Sequence, residues 1–557
     1  MKSVAYRVNC LVDLGRMEGS NMSSNLVKGT AILTVGLFLS KALGLLYLIP
    51  LYAIVGEENI GLYQYAYIPY NIALAIAISG APLAISKYVS KYNALGDYAT
   101  GRKLLKSGML VMTLTGIASF ITLYLLAEPI AHLVRRDEEQ IFTIDDIAGV
   151  IRLVSYALLA VPLMSIVRGF LQGYQKMEPT AVSQLVEQIV RIIVVLAGAF
   201  IVVNVLDESP KTAISFAVFA AFIGALAGLV VLYKYWKSYK PELDHLLSTS
   251  PPASTISFRE MYTEVFAYIL PFVLVGVINP LYQFVDMITF NEAMKSIGKS
   301  TVSDTYLGML NLLTHKFVMI PVMVATGFSM ALIPVITSYY AKKDQKGITR
   351  SLDQTFQIML YLTVPMVIGL IILSNELYQF LYSESAVGAG ILASYAPVAV
   401  LFGLYSVTAA ILQGIDRHKW IVFTSLLGLF FKLVLNIPLI KIFETNGAIL
   451  ATSIGYTVAV GINIAIISKT LNYRSKMVFR RLILIAILNI IMLVAVIFTL
   501  KGLTALSPAD GKMQSLLYIF ICATVGVVIY GYLSLKTGLA QKLFGERLTR
   551  FTKKLGF

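Results

Sequence analysis

The chain has 557 residues, of which 57% are hydrophobic and only 13% are charged, and its mean hydropathy is +0.77. This composition leaves too little polar surface to enclose a soluble globule and is typical of a polytopic membrane protein. The net charge of +15 does not indicate nucleic-acid binding, because the basic residues lie mostly in short loops between apolar segments. Two cysteines and four scattered histidines predict neither a disulfide framework nor a metal site.

Apolar runs long enough to cross a bilayer predict an all-α polytopic membrane protein with about fourteen transmembrane helices. The predicted spans are 28–55, 60–90, 105–127, 147–174, 179–205, 212–236, 262–290, 304–340, 355–382, 388–415, 419–443, 447–470, 479–501 and 513–536. Lys and Arg concentrate in the loops after the second, sixth and eighth spans and in the tail. Since basic loops face the cytoplasm, we predict that both termini are cytoplasmic.

An internal repeat predicts two six-helix lobes followed by two additional helices. Leu-Gln-Gly at 171–173 recurs at 412–414, and the same offset of 241 residues places Arg191 on Lys432. The predicted parts are a cytoplasmic extension (1–27), an N-lobe (28–240), a cytoplasmic linker (241–260), a C-lobe (261–472), spans thirteen and fourteen (473–540) and a basic cytoplasmic tail (541–557). The first 21 residues do not resemble a signal peptide. Either Met22 is the true start, or these residues form a flexible cytoplasmic extension.

Four cations lie near the middle of predicted spans: Lys41, Arg191, Lys316 and Lys432. A charge at bilayer depth is costly, so such residues usually have a function. Together they predict a path for an anionic substrate, in which an ammonium or guanidinium group binds phosphate. For Lys41 the alternative is a paired lysine retained for packing.

Possible partners weaken or strengthen this interpretation for the other cations. Glu187 lies four residues before Arg191, so a structural pair on one helix face is as good an explanation as substrate binding. The position equivalent to Glu187 in the second repeat is Gly428, and Lys432 is therefore predicted to be freer to contact a ligand.

Lys316 precedes Pro321, a residue that can open a helix and act as a hinge at a binding site. The alternative is that Pro321 only bends a packed helix. Asp286 is predicted to be a counter-ion, a cation site or a structural partner of Lys316, and the sequence does not choose among these roles.

No motif for catalysis or nucleotide hydrolysis is present, so the chain is predicted not to be an enzyme and to carry no cofactor. Energy for transport would then come from a coupling ion or from the membrane potential, which supplies about 2.3 kcal/mol per charge per 100 mV.

Several motifs resemble the MurJ-type lipid II flippases of Gram-positive bacteria, which belong to the multidrug/oligosaccharidyl-lipid/polysaccharide exporter superfamily. The resemblance covers nearly the whole chain from Met22. The motifs are Ser40–Gly44 (SKALG), Tyr65–Asn71 (YAYIPYN), Pro82–Val89 (PLAISKYV), Lys91–Gly96 (KYNALG) and Gln172–Tyr174 (QGY).

The resemblance implies that Lys41 and Lys316 line a central cavity, each as Lys where Gram-negative relatives have Arg. A second first-span arginine of the family matches Tyr47, and its second-span arginine has no clear counterpart between Ile68 and Ser79. The resemblance also implies that spans thirteen and fourteen hold the lipid tail.

The expected function is therefore translocation of lipid II, a polyprenyl-diphosphate-linked glycopeptide, to the outer leaflet of a bacterial cell membrane by alternating access. The alternatives are a flippase for another polyprenyl-linked polysaccharide, a multidrug-cation antiporter and a membrane scaffold without transport activity. The expected partners are the lipid-linked substrate, membrane lipids and cell-wall synthesis enzymes, and a single chain is expected to suffice.

Overall fold

The computed structural model describes residues 36, 39–40, 42–44, 46–250, 258–473, 476–507 and 511–544. All regular structure within these residues is helical, which confirms the predicted fold class. Thirteen helical segments of the described chain, some of which join two neighbouring helices, are long and apolar enough to cross a membrane. Residues 28–35, 37–38, 41 and 45 of the first predicted span, 28–55, lie outside the described residues, and its final part forms the helix Leu48–Val55. The chain is a multi-pass membrane protein.

The helices are numbered here in chain order. They are α1 Leu48–Val55, α2 Glu57–Ile78, α3 Ala81–Ala94, α4 Tyr98–Val134, α5 Ile144–Ser155, α6 Ala157–Gly173, α7 Glu178–Phe200, α8 Pro210–Ser248, α9 Phe258–Lys295, α10 Ser300–Gly308, α11 His315–Ala341, α12 Gln345–Ile372, α13 Ser374–Leu381, α14 Ala386–Tyr395, α15 Val398–Gly414, α16 His418–Phe443, α17 Thr445–Leu471, α18 Lys476–Leu506, α19 Lys512–Lys536 and α20 Leu539–Phe544. Wider π-helical turns follow α7 and separate α10 from α11.

Polar side chains set the first residues of three helices. Ser209, Asp344 and Ser385 each accept a hydrogen bond from a backbone N–H in the first turn of α8, α12 and α14, respectively. Such a cap satisfies a donor that has no partner inside the helix. The cap at Asp344 explains why α12 begins ten residues before the predicted apolar span at 355.

The chain divides into two compact units, and neither is continuous in sequence. Unit 1 consists of Met1–Gly56, Pro69–Pro129 and Asp145–Gly276, and unit 2 consists of Glu57–Ile68, Ile130–Ile144 and Val277–Phe557. The boundary between the units falls inside α2 at Pro69 and inside α4 at Pro129. Proline removes a backbone hydrogen bond, so these are the points where each helix bends most readily. The predicted lobes, 28–240 and 261–472, stay a prediction.

Glycines allow the closest helix crossings in both units. In unit 1, a β-carbon placed on Gly224 of α8 would lie 2.7 Å from the carbonyl oxygen of Glu187 in α7. In unit 2, a β-carbon on Gly455 of α17 would lie 2.6 Å from the carbonyl oxygen of Gly428 in α16. Positions 187 and 428 are separated by the predicted repeat offset of 241, whereas the two glycines that contact them, Gly224 and Gly455, are 231 residues apart.

Candidate functional site

Lys41 lies outside the described residues, and its cavity role stays a prediction. Gly36 and Gly44 of the same predicted span are described, and both glycines lie against α7. A β-carbon on Gly36 would lie 2.8 Å from Cβ of Ala181, and one on Gly44 would lie 3.4 Å from Nε2 of Gln188. These two small residues therefore allow close packing against α7.

Glu187 is the centre of a charged cluster in unit 1. Arg191 Nη2 lies 3.8 Å from Glu187 Oε1, which confirms the predicted pair on one face of α7. The shorter ion pair comes from Arg168 of α6, whose Nη2 lies 2.9 Å from Glu187 Oε2. Arg168 Nε also donates to the hydroxyl of Ser183 at 2.9 Å. Sequence reasoning missed Arg168, although it is a cation inside the fourth predicted span.

The two arginines of this cluster differ in accessibility. The side chain of Arg168 is 10% exposed and that of Arg191 is 24% exposed. Arg191 also donates to Gln188 Oε1 at 2.6 Å. The short distance and low exposure favour Arg168 as the structural partner of Glu187. Arg191 is the more accessible of the two arginines to an anionic ligand.

Lys432 is completely buried inside unit 2 and has three oxygen partners. Its Nζ donates to Asp286 Oδ1 at 2.5 Å, to Asn436 Oδ1 at 2.9 Å and to the carbonyl oxygen of Ala448 at 3.0 Å. The expectation that Lys432 is freer to contact a ligand is wrong. Its counter-charge comes from α9, 146 residues away in sequence, and not from the preceding turn of α16.

Asp286 is therefore the partner of Lys432. Its Oδ1 also accepts a hydrogen bond from Asn436 Nδ2 at 3.0 Å, and the same amide nitrogen donates to Thr289 Oγ1 at 2.7 Å. A buried ion pair is tolerated when further hydrogen bonds satisfy its remaining donors and acceptors, as they do here. This geometry favours a structural role for Lys432, and its role as a substrate ligand stays a prediction.

Lys316 is half-buried at the start of α11. The adjacent His315 is buried, and its Nδ1 lies 3.0 Å from the hydroxyl of Tyr395. Helix α11 continues through Pro321 to Ala341, whereas the π-helical turn, Met309–Thr314, immediately precedes His315. Such turns are frequent at functional sites. The backbone irregularity near Lys316 is thus upstream of the residue, and the hinge role of Pro321 stays a prediction.

Asp304 forms a second buried polar cluster in unit 2, which sequence reasoning missed. Its Oδ1 accepts hydrogen bonds from the Tyr65 hydroxyl at 2.5 Å, from Gln140 Nε2 at 3.2 Å and from Asn291 Nδ2 at 3.3 Å. Its Oδ2 accepts from the backbone N–H of Ile141 at 3.0 Å. The cluster therefore connects the 57–68 and 130–144 segments to α9 and α10.

Further polar contacts join the same segments near the surface. Ser300 donates to Asp137 Oδ2 at 2.8 Å, Lys295 donates to the carbonyl oxygen of Arg136 at 2.7 Å, and Arg136 Nε lies 3.7 Å from Glu292 Oε2. The hydrogen bond from Ser300 lowers the pKa of the Asp137 carboxyl, which keeps it negatively charged. We call these contacts and the Asp304 cluster the Asp304 junction.

Buried bases do not outnumber buried acids among the described residues. The buried acids are Asp97, Asp286, Asp304 and Glu376, and the buried Lys and Arg residues are Arg168 and Lys432. An acid near a helix end does not interrupt a long apolar run, so the sequence pattern does not indicate its burial. The balance of buried charge therefore does not argue against transport of cations.

Comparison with known proteins assigns the family. The polysaccharide biosynthesis protein family matches residues 26–340, and the MatE family matches residues 271–439. A Bacillus subtilis (strain 168) protein named lipid II flippase MurJ is 44% identical over 539 residues, covering 96% of this chain and 99% of that protein. Stage V sporulation protein B of the same organism is 26% identical over 451 residues, covering 80% of this chain and 84% of that protein.

The fold agrees with this assignment. A solved structure of lipid II flippase MurJ in an inward closed conformation covers 91% of this chain and 99% of its own, with a TM-score of 0.63 and 17% identity. The chain belongs to the polysaccharide biosynthesis protein family and, within it, to the MurJ group, whose members are membrane transporters rather than enzymes.

Proposed function

We propose that this protein translocates lipid II, the polyprenyl-diphosphate-linked precursor of peptidoglycan, to the outer leaflet of a bacterial cell membrane by alternating access. The observation that carries the proposal is the 44% identity, over almost the entire length of both chains, to a protein named a lipid II flippase. The sporulation protein is considerably less similar, at 26% identity.

The chemistry of the described residues suits such a substrate. Arg191 and Lys316 are half-buried cations inside the helical region, where a diphosphate gains charge-assisted hydrogen bonds. Helices α18 and α19 expose large apolar side chains such as Ile487, Phe498 and Val527, which suits contact with a lipid tail. The substrate head and the tail would thus contact different parts of the protein.

We place the basic loops and both termini in the cytoplasm, because Lys and Arg concentrate in alternate loops. A single chain is proposed to act alone, with cell-wall synthesis enzymes as its protein partners.

The cycle is proposed to draw on an ion gradient or the membrane potential, since the sequence carries no nucleotide-binding motif. In sealed vesicles, collapse of the potential and of the cation gradients should then stop net transport.

The Asp304 junction is proposed to close the non-cytoplasmic end of the pathway. By the charge rule, the loops at 56 and 135–143 face away from the cytoplasm, and the junction holds the adjacent segments against α9 and α10. Outward release of a bulky head group requires these contacts to separate. Pro69 and Pro129 mark where α2 and α4 would bend during that change.

The experiment that tests this function replaces the resident lipid II flippase of a depletable bacterium with this chain. Survival and the amount of lipid II on the outer leaflet are measured for the wild type, for Lys41→Ala and for Lys316→Ala at equal expression, with Lys501→Ala, at an exposed position of α18, as the matched control. Rescue by the wild type and the control, but not by the two variants, is expected. Failure of well-expressed wild type would contradict the lipid II assignment, and rescue by both variants would contradict the roles of the two lysines.

A further inference from the structure

A cavity of about 580 Å³ lies in unit 2 between the first turns of α12, the start of α18 and the short helix α20. Its lining includes four cations, Lys346, Arg350, Arg481 and Lys542, and a single acid, Asp353. Asp353 already accepts a hydrogen bond from the Tyr473 hydroxyl at 2.6 Å. The lining is therefore strongly positive, and it shares no residue with the candidate transport residues.

A buried amide in the wall of this cavity points to a ligand. The side chain of Gln357 is completely buried, and its Oε1 accepts a hydrogen bond from Arg481 Nη1. Its Nε2 has no hydrogen-bond partner within the described part of the chain. Buried donors without an acceptor are rare because they are costly, so each one requires an explanation.

One bound anion would explain both the missing acceptor for Gln357 Nε2 and the excess of positive charge in the cavity lining. An oxygen-rich anion accepts from an amide N–H and from guanidinium groups together, and the planar arginine fork matches phosphate. Arg481 is positioned beside the Gln357 amide by their own hydrogen bond, so both can contact one phosphate. Lys346, Arg350 and Lys542 are exposed and surround this anion site with positive charge.

The position of the cavity indicates that the phosphate belongs to a lipid. Helix α18 enters its apolar span immediately after Arg481, with the sequence Leu482–Leu488, so the cavity lies where the helices enter the bilayer. Met477 and Leu543 add apolar surface to the lining. Basic pockets between transmembrane helices on the cytoplasmic side suit anionic lipid head groups.

We propose that this cavity binds the phosphate of an anionic phospholipid of the cytoplasmic leaflet, with Arg481 and Gln357 as the direct ligands and Lys346, Arg350 and Lys542 as the surrounding charges. A lipid bound here joins α12, α18 and α20 through one anion. It would stabilise the start of α18 without taking part in substrate translocation.

The test uses the purified full-length protein, delipidated in neutral detergent and then titrated with phosphatidylglycerol or with phosphatidylcholine. Lipid retention is measured by native mass spectrometry, and the midpoint of thermal unfolding is measured in parallel. Wild type is expected to retain phosphatidylglycerol in preference to phosphatidylcholine and to unfold at a higher temperature with it. Each cation removed should weaken retention by about fivefold.

Two double variants separate binding from folding. Arg350→Gln with Arg481→Gln removes a direct ligand, while Lys346→Gln with Lys542→Gln changes only exposed side chains and leaves Gln357 in place. The matched control is Lys234→Gln with Lys237→Gln, which removes two exposed charges from α8 in unit 1. Both cavity variants should lose selective retention, and the control should keep it.

Three results would overturn the proposal. The first is equal retention of the two lipids by the wild type. The second is an equal loss of retention in the control and in the Lys346/Lys542 variant, which would indicate a diffuse charge effect. The third is displacement of phosphatidylglycerol by millimolar inorganic phosphate, with the same thermal stabilisation, which would assign the site to a soluble phosphate.

Discussion

Lys432 and Asp286 illustrate how a charge is accommodated inside this protein. The ammonium group donates to three oxygens, and the carboxylate receives a further hydrogen bond from Asn436. Water is excluded from the lysine side chain, whose exposed fraction is zero. In these surroundings the pair is stable only as a pair, because either charge alone would be buried without compensation.

Single substitutions in this pair should therefore be more harmful than the double substitution. Asp286→Asn and Lys432→Gln should each lower the free energy of unfolding by about 3–5 kcal/mol, whereas the double variant should be closer to wild type. The stability of the three variants is measured by thermal unfolding in detergent. Additive losses in the double variant would show that the two side chains do not act as a pair.

Arg168 and Arg191 should separate stability from transport. Arg168→Gln removes the short ion pair to Glu187 and the hydrogen bond to Ser183, so it should lower the unfolding midpoint. Arg191→Gln should leave the midpoint nearly unchanged and lower lipid II transport about tenfold, which corresponds to about 1.4 kcal/mol.

Arg191→Lys, which keeps the charge, is the control for the second variant and should retain most of the transport. Unchanged transport in Arg191→Gln would assign Arg191 to the structural role that its pairing with Glu187 also allows.

The sequence locates the buried cations. It predicts the partner of a cation only when both residues lie on the same helix. The Glu187–Arg191 pair follows from a spacing of four residues, which places both side chains on one helix face. Lys432 and Arg168 are paired with residues from other helices, and those pairs depend on how the helices pack. Asp304 was overlooked because it lies near the end of its span, where an acid does not interrupt a long apolar run.

At the scale of helices, close crossings depend on single glycines. Gly455 of α17 lies against the backbone of α16 at Gly428 and also against the hydroxyl of Tyr282, which would be 2.6 Å from an added β-carbon. Gly461, six residues further along α17, has no atom within 4 Å of an added β-carbon. The same helix therefore provides both a test position and a matched control.

Gly455→Ala should destabilise the protein by about 1–3 kcal/mol, because the methyl group forces α16 and α17 apart. Gly461→Ala should be neutral or stabilising by about 0.5–1 kcal/mol, because alanine is the better helix former. The unfolding midpoints of the two variants are compared by thermal unfolding in detergent. Equal midpoints would contradict the close crossing.

Most helix positions could be predicted from apolar length alone, and the helix ends could not. The predicted ninth span, 355–382, corresponds to the greater part of α12, which begins at Gln345 after its cap at Asp344 and ends at Ile372, and to the separate helix α13. Caps and breaks of this kind depend on local polar geometry, which apolar length does not report.

For the whole molecule, the two sequential lobes that the repeat predicts stay a prediction, and the contacts group the chain into two units that are each discontinuous in sequence. The 57–68 and 130–144 segments associate with the C-terminal half through the Asp304 junction. Pairing between distant polar groups such as Tyr65 and Asp304 leaves no periodic signal in one sequence. If the junction opens during transport, holding it closed should stop the cycle.

A cross-link between positions 137 and 300 tests this opening. Asp137→Cys and Ser300→Cys replace two hydrogen-bonded side chains in a background with Cys10→Ser and Cys522→Ser. Bridging the pair with a short reducible thiol reagent should abolish transport, and reduction should restore it. Each single cysteine variant, treated in the same way, should remain active. Full transport by the bridged protein would contradict a gating role for the junction.

Transport by the purified protein in sealed vesicles tests the central claim most directly. Labelled lipid II, a polyprenyl-linked glycan without the peptide and an organic cation are offered in turn to the wild type, Lys316→Gln, Lys316→Arg and the control Lys501→Gln. We predict translocation of lipid II by the wild type, Lys316→Arg and the control, a large loss in Lys316→Gln, and no uptake of the cation. Translocation of the cation but not of lipid II, by protein that is folded and correctly inserted, would contradict the account.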